Sequence, residues 1–210
     1  MDIFFSHAHF PVTTLGYGQR VGIWLQGCTI RCSGCIVPET WVQAEEHRVS
    51  VETLLAHLEP WLRNCAGVTI SGGEPFDQPN ALEALVAGLR KHFSGDLLIY
   101  SGYAFARLHG LHRAIVQSLD VLISEPFLCD QPDTRPFVGS ANQRVHLLSD
   151  LARERYSDLG IMRRGLDVAV DIDRVRLAGV PLRGEMTQLR HALRSRLVSS
   201  NPNRDACSNP

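Results

Sequence analysis

Short apolar runs alternate with segments of helical periodicity along most of the chain, and this alternation restricts the possible folds more than any other feature. Six runs have the length of strands: residues 21–25, 67–70, 96–100, 120–123, 167–171 and 174–178. Ser50 and Pro79 stand where helices would begin, and a weaker helical pattern covers 105–115. His7 and His9 are predicted to alternate on an edge strand as exposed polar residues. The alternation favours an α/β fold with a mostly parallel sheet.

The C-terminal part of the chain changes in composition. A helix is predicted at 185–198, where apolar residues recur at helical spacing. Residues 199–210 are rich in Asn, Pro and Ser and are predicted to be disordered. We therefore expect a core domain over residues 1–184 and a C-terminal helix with a disordered tail over 185–210.

Four turns of the predicted sheet are expected to lie together. The carboxyl ends of parallel strands share one edge of a sheet, and ligands bind at that edge. The turns follow Leu25, Ile70, Tyr100 and Ile123. We predict that they form one functional rim.

The turn after the first of these strands holds three cysteines. Cys28, Cys32 and Cys35 are spaced C-x3-C-x2-C, with no fourth cysteine nearby. Thiolates suit iron–sulfur clusters and zinc alike, and three of them leave one iron of a cubane open to a small molecule. A structural zinc site would need a distant fourth ligand such as His47 or Cys65. Three buried structural thiols are the remaining interpretation.

The turn after the second strand reads Gly72-Gly73-Glu74-Pro75. Two glycines allow a ligand to approach the backbone, and Glu74 offers a carboxylate suited to an ammonium group. The alternative is a tight turn that caps the next helix. The cysteine loop on the same rim favours the functional interpretation. Cys129, three residues after Pro126, could also approach the rim.

Composition excludes several classes of protein. The net charge is −1, so electrostatics gives no reason to expect a nucleic acid or an anionic membrane as partner. The N-terminal residues lack the pattern of a secretory signal, and no stretch reaches the roughly 18 apolar residues that span a bilayer. Clustered cysteines in a chain of this length indicate metal ligands or catalytic groups in a reducing cytosol. We expect a cytoplasmic protein.

The motifs together resemble the radical S-adenosylmethionine (radical SAM) superfamily, and more closely the activating enzymes of anaerobic ribonucleoside-triphosphate reductase. The resemblance covers roughly residues 10 to 181. Besides the cysteines it is carried by Gln26-Gly27-Cys28, Pro38-Glu39-Thr40-Trp41, Ser71-Gly72-Gly73-Glu74-Pro75-Phe76, Tyr100-Ser101-Gly102-Tyr103, Asp120-Val121-Leu122-Ile123, Gly139-Ser140-Ala141-Asn142-Gln143-Arg144-Val145-His146 and Leu177-Ala178-Gly179-Val180-Pro181.

The resemblance implies a partial, open βα barrel and an oxidoreductase. By it, Cys28, Cys32 and Cys35 bind a [4Fe-4S] cluster whose open iron chelates S-adenosylmethionine. One electron then cleaves the sulfonium to methionine and a 5′-deoxyadenosyl radical. The residues that would contact this cofactor are Gly34, Ile36, Gly72, Gly73 and Glu74 at its methionine end, and Ser101 and Asn142 elsewhere. A reduced flavodoxin or ferredoxin would supply the electron.

Two segments depart from the family pattern. Ile36-Val37 replaces an aromatic residue followed by asparagine, and Ser124-Glu125-Pro126-Phe127 replaces a segment that often carries Asp-Gly before the aromatic residue. The leading hypothesis is an activase that installs a glycyl radical on a partner such as anaerobic ribonucleotide reductase. The second is a stand-alone radical SAM enzyme that modifies a small molecule, nucleotide or peptide. The third is a non-catalytic zinc-binding or interaction module.

Overall fold

The computed structural model describes residues 1–158, 164–170, 175–182, 184–189 and 191–192. The chain divides into two compact units, Met1–Val180 and a second that begins at Pro181. In the second unit, residues 185–189 and 191–192 are helical. The backbone N–H of Leu182 donates to the Glu185 carboxylate at the start of this helix, at 2.8 Å. The predicted end of this helix and the predicted disordered tail lie outside the described residues, and the expected boundary after residue 184 stays a prediction.

The first unit is built on a mixed sheet. Among the described residues, seven strands form it in the order β3-β1-β2-β4-β5-β6-β7. The bounds are β1 Asp2–Val12, β2 Arg20–Leu25, β3 Arg48–Ser50, β4 Gly67–Gly72, β5 Asp96–Tyr100, β6 Val121–Ser124 and β7 Arg144–Leu147. Strands β2, β4, β5 and β6 are parallel neighbours. Strands β1, β3 and β7 pair antiparallel with their neighbours. The α/β fold with a parallel-rich sheet is thus confirmed.

A separate antiparallel hairpin follows the sheet along the chain. It consists of β8 Leu166–Val170 and β9 Val175–Gly179. Both late strands are confirmed within one residue at their described ends. Asp171 and Arg174, which we assigned to them, lie outside the described residues.

Helices connect the parallel strands as expected, and one further helix follows β7. Their bounds are α1 Val51–Leu62, α2 Pro79–His92, α3 Phe105–Leu111, α4 Arg113–Gln117 and α5 Asp150–Arg155. Ser50 caps α1, since its hydroxyl accepts a hydrogen bond from the Thr53 N–H at 3.1 Å. Pro79 occupies the first turn of α2, where its missing N–H has no cost. Both predicted helix starts are confirmed, whereas the weak pattern at 105–115 is two short helices.

The parallel strands are mostly apolar at their centres because the sheet is covered on both faces. Alternate residues of β5 show this: Leu97 and Ile99 belong to one buried cluster, and Leu98 belongs to another. The first cluster contains the apolar faces of α1 and α2. The second contains Phe137, Val138, Ala152 and Tyr156.

The prediction for His7 was wrong. Strand β1 lies between β3 and β2 in the sheet, but its described pairing with β3 covers Asp2–Phe4 and does not reach His7, so the error concerns the predicted exposure of the side chain. The His7 ring is half-buried and stacks on the Trp24 ring, with 4.6 Å between centroids. Burial, with a smaller effect of the Arg176 charge, lowers the pKa of His7 to about 4.

The amino ends of the parallel strands carry a buried ion pair. Arg20 begins β2, Asp96 begins β5, and their side chains meet at 2.8 Å with no exposed surface. Arg155 binds the same carboxylate at 2.7 Å, and the Tyr156 hydroxyl donates to it at 2.9 Å. This cluster lies at the edge of the sheet opposite the predicted rim. Across the described residues, no helix is both long and apolar enough to cross a membrane.

Candidate metal and cofactor site

The rim predicted from the sequence exists in the sheet. Leu25 pairs with Gly72 across β2 and β4, Ile70 pairs with Ile99 across β4 and β5, and Tyr100 pairs with Ile123 across β5 and β6. All four strands run parallel, so the turns that follow them lie at the same edge. The cysteine loop and the Gly-Gly-Glu-Pro turn are therefore immediate neighbours.

The two glycines of the second turn allow close contact with the cysteine loop. The N–H of Gly73 donates to the Leu25 carbonyl at 2.8 Å, and the N–H of Glu74 donates to the Gly27 carbonyl at 2.7 Å. A Cβ at Gly73 would lie 2.1 Å from the Gly27 carbonyl oxygen. Gly72 adopts φ +104° and would place a Cβ 2.4 Å from the Leu25 nitrogen. Both glycines are thus needed for the close contact between this turn and the backbone before and within the cysteine loop.

Hydrogen bonds fix both ends of the cysteine loop. Where it begins, the N–H groups of Gly27 and Cys28 donate to the carbonyls of Thr40 and Trp41, at 2.7 and 3.1 Å. Further on, the Cys35 N–H donates to the Cys32 carbonyl at 3.2 Å, and Gly34 takes φ +77°. The short turn between Cys32 and Cys35 is therefore closed by a backbone hydrogen bond.

The three cysteines are half-buried on this loop. Burial raises the pKa of the Cys28 thiol and that of the Cys32 thiol, so cluster binding as thiolates releases protons. Within the described residues, no group of three or more His, Cys, Asp or Glu side chains is arranged to hold a metal ion. The loop brings the thiols to one place without closing them around a centre.

Glu74 is nearly inaccessible, with 2% of its surface exposed. Its carboxylate accepts hydrogen bonds from the Ser101 hydroxyl at 2.8 Å, the Gly102 N–H at 2.7 Å and the Phe76 N–H at 3.0 Å. Burial raises the pKa of Glu74 to about 7, although these hydrogen bonds act in the opposite direction. The structure therefore brings two predicted site residues, Glu74 and Ser101, into contact with each other.

The segment after β6 lies beside the cysteine loop. A Cβ at Gly34 would be 3.0 Å from Cβ of Cys129. The Cys32 thiol interacts with the backbone of Phe127. Asn142 donates through Nδ2 to the Pro126 carbonyl at 2.7 Å, while its buried Oδ1 has no hydrogen-bond partner among the described residues. Asn142 thus offers an unused acceptor in the segment that borders the loop.

The two remaining predicted contacts differ in exposure. Ile36 follows the third cysteine and is 43% exposed. Gly34 is also exposed, so both lie on the solvent side of the loop. Nothing in the described packing holds the Ile36 side chain over a particular ligand position.

One functional candidate escaped the sequence analysis. Asp77 ends the short helical turn Pro75–Asp77 and accepts hydrogen bonds from the N–H of Thr29 and from the hydroxyl of Tyr103. The only sequence signal was its position three residues after Glu74, which is also ordinary for a helix start. Nothing in the spacing indicated that Asp77 would reach the cysteine loop.

The residues present fit an iron–sulfur cluster better than a zinc ion. Cys65 lies before β4, at the opposite edge, with its thiol directed to the Leu62 carbonyl at 3.8 Å. His47 has its Nδ1 at 3.2 Å from the Phe5 carbonyl. Neither distant candidate completes a four-ligand set, whereas three thiolates with an open fourth position suit a cubane that also binds a small molecule. The unpaired Asn142 oxygen is consistent with such a molecule.

Comparison with known proteins supports this chemistry. A family model described as a 4Fe-4S single cluster domain matches residues 14–146. The anaerobic ribonucleoside-triphosphate reductase-activating protein of Vibrio cholerae is 30% identical over 148 residues, which cover 67% of this chain and 96% of that protein. The pyruvate formate-lyase-activating enzyme of Clostridium pasteurianum is 31% identical over 51% of this chain and 45% of its own. The crystal structure of QueE from Escherichia coli matches 49% of this chain and 53% of that one, with 23% identity and a TM-score of 0.41.

The rim, its three thiols and the family match define a protein that carries a single iron–sulfur cluster, and the chain belongs to the 4Fe-4S single cluster domain family. The predicted membership of the radical SAM superfamily, with its resemblance to reductase-activating proteins, is confirmed by these matches. The predicted cofactors, a [4Fe-4S] cluster and S-adenosylmethionine, are confirmed with it.

Proposed function

We propose that this enzyme cleaves S-adenosylmethionine reductively and installs a glycyl radical on a partner protein such as an anaerobic ribonucleotide reductase. The observation that carries the proposal is the seating of the cysteine loop on the Gly72-Gly73-Glu74 turn, through two backbone hydrogen bonds. A relative named as a reductase-activating protein matches this chain over nearly its own full length, which supports the partner class.

In this proposal Cys28, Cys32 and Cys35 are the cluster ligands. The bound cluster and S-adenosylmethionine together supply the 5′-deoxyadenosyl radical. The chain carries these thiols on a loop whose start is restrained by backbone hydrogen bonds to Thr40 and Trp41. The protein contributes geometry and the exclusion of water, and the cofactors contribute the bond cleavage.

The proposed contacts to S-adenosylmethionine surround the same loop. Gly34 and Ile36 would lie along its methionine end, together with the turn formed by Gly72, Gly73 and Glu74. The Glu74 carboxylate of that turn is buried and titratable, and it accepts a hydrogen bond from the Ser101 hydroxyl. The Asn142 Oδ1 atom, which lacks a hydrogen-bond donor in the part of the chain that the structure describes, would accept a hydrogen bond from the cofactor.

We further propose that the sheet is an open βα barrel. Its parallel centre of four strands supports this, and so do its two described end strands, β3 and β7, which do not pair with each other. An open side would leave the rim accessible to a protruding segment of a partner. A reduced flavodoxin or ferredoxin would donate the electron, and free thiols suit a cytoplasmic location.

A stand-alone enzyme acting on a small molecule, nucleotide or peptide is the second candidate. Glu125 favours it, because this non-glycine residue takes φ +83° in the segment that departs from the family pattern. The Glu125 N–H donates to the Tyr103 carbonyl at 3.1 Å, so the departure lies on the rim. A changed rim would suit a changed substrate.

The test is an anaerobic mixture of the reconstituted enzyme, S-adenosylmethionine, a reductant and a glycyl radical enzyme of the anaerobic ribonucleotide reductase class. The proposal predicts a protein-bound glycyl radical signal in electron paramagnetic resonance (EPR). Cleavage of S-adenosylmethionine without any radical on the partner would contradict the activase assignment and favour the stand-alone enzyme.

A further inference from the structure

A group of three polar side chains joins the turns of the rim to one another. The Asp77 carboxylate accepts hydrogen bonds from the Thr29 N–H at 2.7 Å and from the Thr29 hydroxyl at 3.1 Å. It also accepts one from the Tyr103 hydroxyl at 2.5 Å. The Thr29 and Tyr103 hydroxyls are themselves 3.0 Å apart. We call this group the rim latch; it consists of Asp77, Thr29 and Tyr103.

The rim latch connects three separate segments. Thr29 belongs to the cysteine loop after β2, Asp77 to the turn after β4, and Tyr103 to the turn after β5. Asp77 is anchored in its own turn, where its N–H donates to the Glu74 carbonyl at 3.0 Å. Tyr103 is anchored as well, since its N–H donates to the Ser101 hydroxyl at 3.1 Å. The Asp77 carboxylate is therefore held by the turns after β4 and β5, and it binds Thr29 in the cysteine loop.

Thr29, which binds the Asp77 carboxylate, is the neighbour of a cysteine. Thr29 directly follows Cys28, and its N–H is bound to Asp77 while the Cys28 N–H is bound to the Trp41 carbonyl at 3.1 Å. Two consecutive peptide groups are thus each held by a hydrogen bond from a different segment. Hydrogen bonds to an ionised carboxylate are stronger than neutral ones, so Asp77 provides the firmer of these two anchors.

The aromatic member has a further restraint. The Arg107 guanidinium lies 4.0 Å from the centroid of the Tyr103 ring. This contact holds the ring from its face while the hydroxyl binds Asp77. The phenol is therefore well placed to keep the carboxylate in one orientation.

We propose that Asp77 is a positioning residue that fixes Cys28 for the cluster, through Thr29 and with support from Tyr103. The inference rests on the proposed function, since it needs a cluster at the three cysteines. Asp77 itself does not touch the reacting atoms. Its charge and its hydrogen bonds set the geometry and the electrostatic surroundings of the first ligand.

The experiment compares Asp77→Asn with the wild-type full chain after anaerobic reconstitution. This variant keeps the shape of the side chain and removes its charge. The reduced cluster should give an altered EPR spectrum, and its reduction potential should rise because a nearby negative charge is gone. Loss of the cluster to a chelator should be about tenfold faster, as expected when charge-assisted hydrogen bonds are weakened.

Other variants separate positioning from folding. Thr29→Val should reproduce part of the effect, and Thr29→Ser, which keeps the hydroxyl, should restore the wild-type spectrum. Asp150→Asn is the matched control, because Asp150 pairs with Arg153 at 3.1 Å in the first turn of α5, away from the rim turns. Thermal unfolding of the cluster-free proteins shows whether Asp77→Asn folds normally.

Two outcomes are distinguishable. If wild-type protein binds the cluster and Asp77→Asn matches it in spectrum, potential and cluster lifetime, the inference is wrong. If wild-type protein binds no iron, the proposed function itself fails, and the rim latch has no cluster to position.

Discussion

Gly73 shows how a single residue without a side chain decides where the cysteine loop lies. Its backbone contacts that of Gly27, and any Cβ would overlap the Gly27 carbonyl oxygen at 2.1 Å. Neither partner in this contact can move aside as a flexible side chain would. The glycine pair therefore allows the β4 turn and the cysteine loop to lie against each other.

The first prediction concerns Gly73→Ala. The added methyl group should push the cysteine loop away from the β4 turn, lower the free energy of unfolding by about 1–3 kcal/mol and reduce the iron bound after reconstitution. Urea unfolding and iron analysis measure the two effects. Gly110→Ala is the control, since a Cβ there meets no atom within 4 Å and its helix should be slightly stabilised. Equal iron content in the two variants would contradict the packing argument.

The second prediction concerns the protonation of Glu74. Its pKa is raised by burial to about 7 from 4.5, so the folded protein retains a proton that the unfolded chain releases. Stability from this group is full below about pH 4.5 and is lost as the pH rises to about 7. The loss amounts to about 3 kcal/mol.

Glu74→Gln cannot titrate at this position and provides the comparison. The difference in unfolding free energy, wild type minus variant, should fall as pH rises through this window and then level off. Urea unfolding of the cluster-free proteins under reducing conditions measures it. A difference that stays constant with pH would show that Glu74 is not buried as a protonated acid.

At the scale of elements, the carboxyl and amino ends of the parallel strands have different roles. The carboxyl edge carries the loops of the site, and the amino edge carries the buried pair of Arg20 and Asp96. Buried charges are tolerated only when their partners are complete, and Arg155 and Tyr156 complete this pair. The amino edge therefore fixes the spacing of β2, β4 and β5 beneath the site.

The third prediction tests that division. Asp96→Asn leaves the Arg20 charge buried without its counter-ion, so it should cost about 3–5 kcal/mol of folding free energy. Arg155→Gln should cost less, because the Arg155 side chain is 24% exposed. Glu59→Gln removes an exposed ion pair with Arg63 and should change stability by no more than about 0.5 kcal/mol.

Chemical denaturation of the three variants gives the order of stabilities. Wherever the Asp96→Asn protein still folds and binds a cluster, the EPR spectrum of that cluster should match wild type, since the change lies at the other edge. A small loss for Asp96→Asn, similar to that for Glu59→Gln, would mean that the pair does not support the sheet.

The sequence predicted best the strands that are buried on both faces of the sheet. Strands β2, β4, β5 and β6 are buried on both faces, so each is a continuous apolar run with clear ends. Strands β3 and β7 were not predicted, because each has only three or four residues and no such run. Strand β1 was taken for an edge strand, since its mixed residues do not reveal that β3 pairs with Asp2–Phe4.

The site was predictable to the same extent as the sheet. Parallel order alone brings the cysteine loop, the Gly72-Gly73-Glu74 turn and the Ser101 turn together. Contacts that depend on loop conformation were not predictable, because Asp77 meets Thr29 across 48 residues of sequence. The sequence did suggest that Cys129 approaches the rim, but it did not indicate that Cys129 lies beside Gly34, since the segment after β6 has no periodic pattern to place it.

At the scale of the whole molecule, the turns of one sheet hold the short cysteine loop in place. Strand β2 delivers the loop, β4 supports it from beneath, and the rim latch ties it to β5. The segment after β6 borders it on the remaining side. Adjacent turns of one sheet thus share the task of holding the cysteine loop.

The most direct test of this account measures 5′-deoxyadenosine. Protein reconstituted anaerobically with iron and sulfide is incubated with S-adenosylmethionine and a strong reductant, beside a Cys32→Ala variant. The account predicts product from the wild type, and none from the variant even though it retains most of its fold. Absence of product from iron-loaded wild type, or equal product from Cys32→Ala, would contradict the assignment of the cluster to this loop.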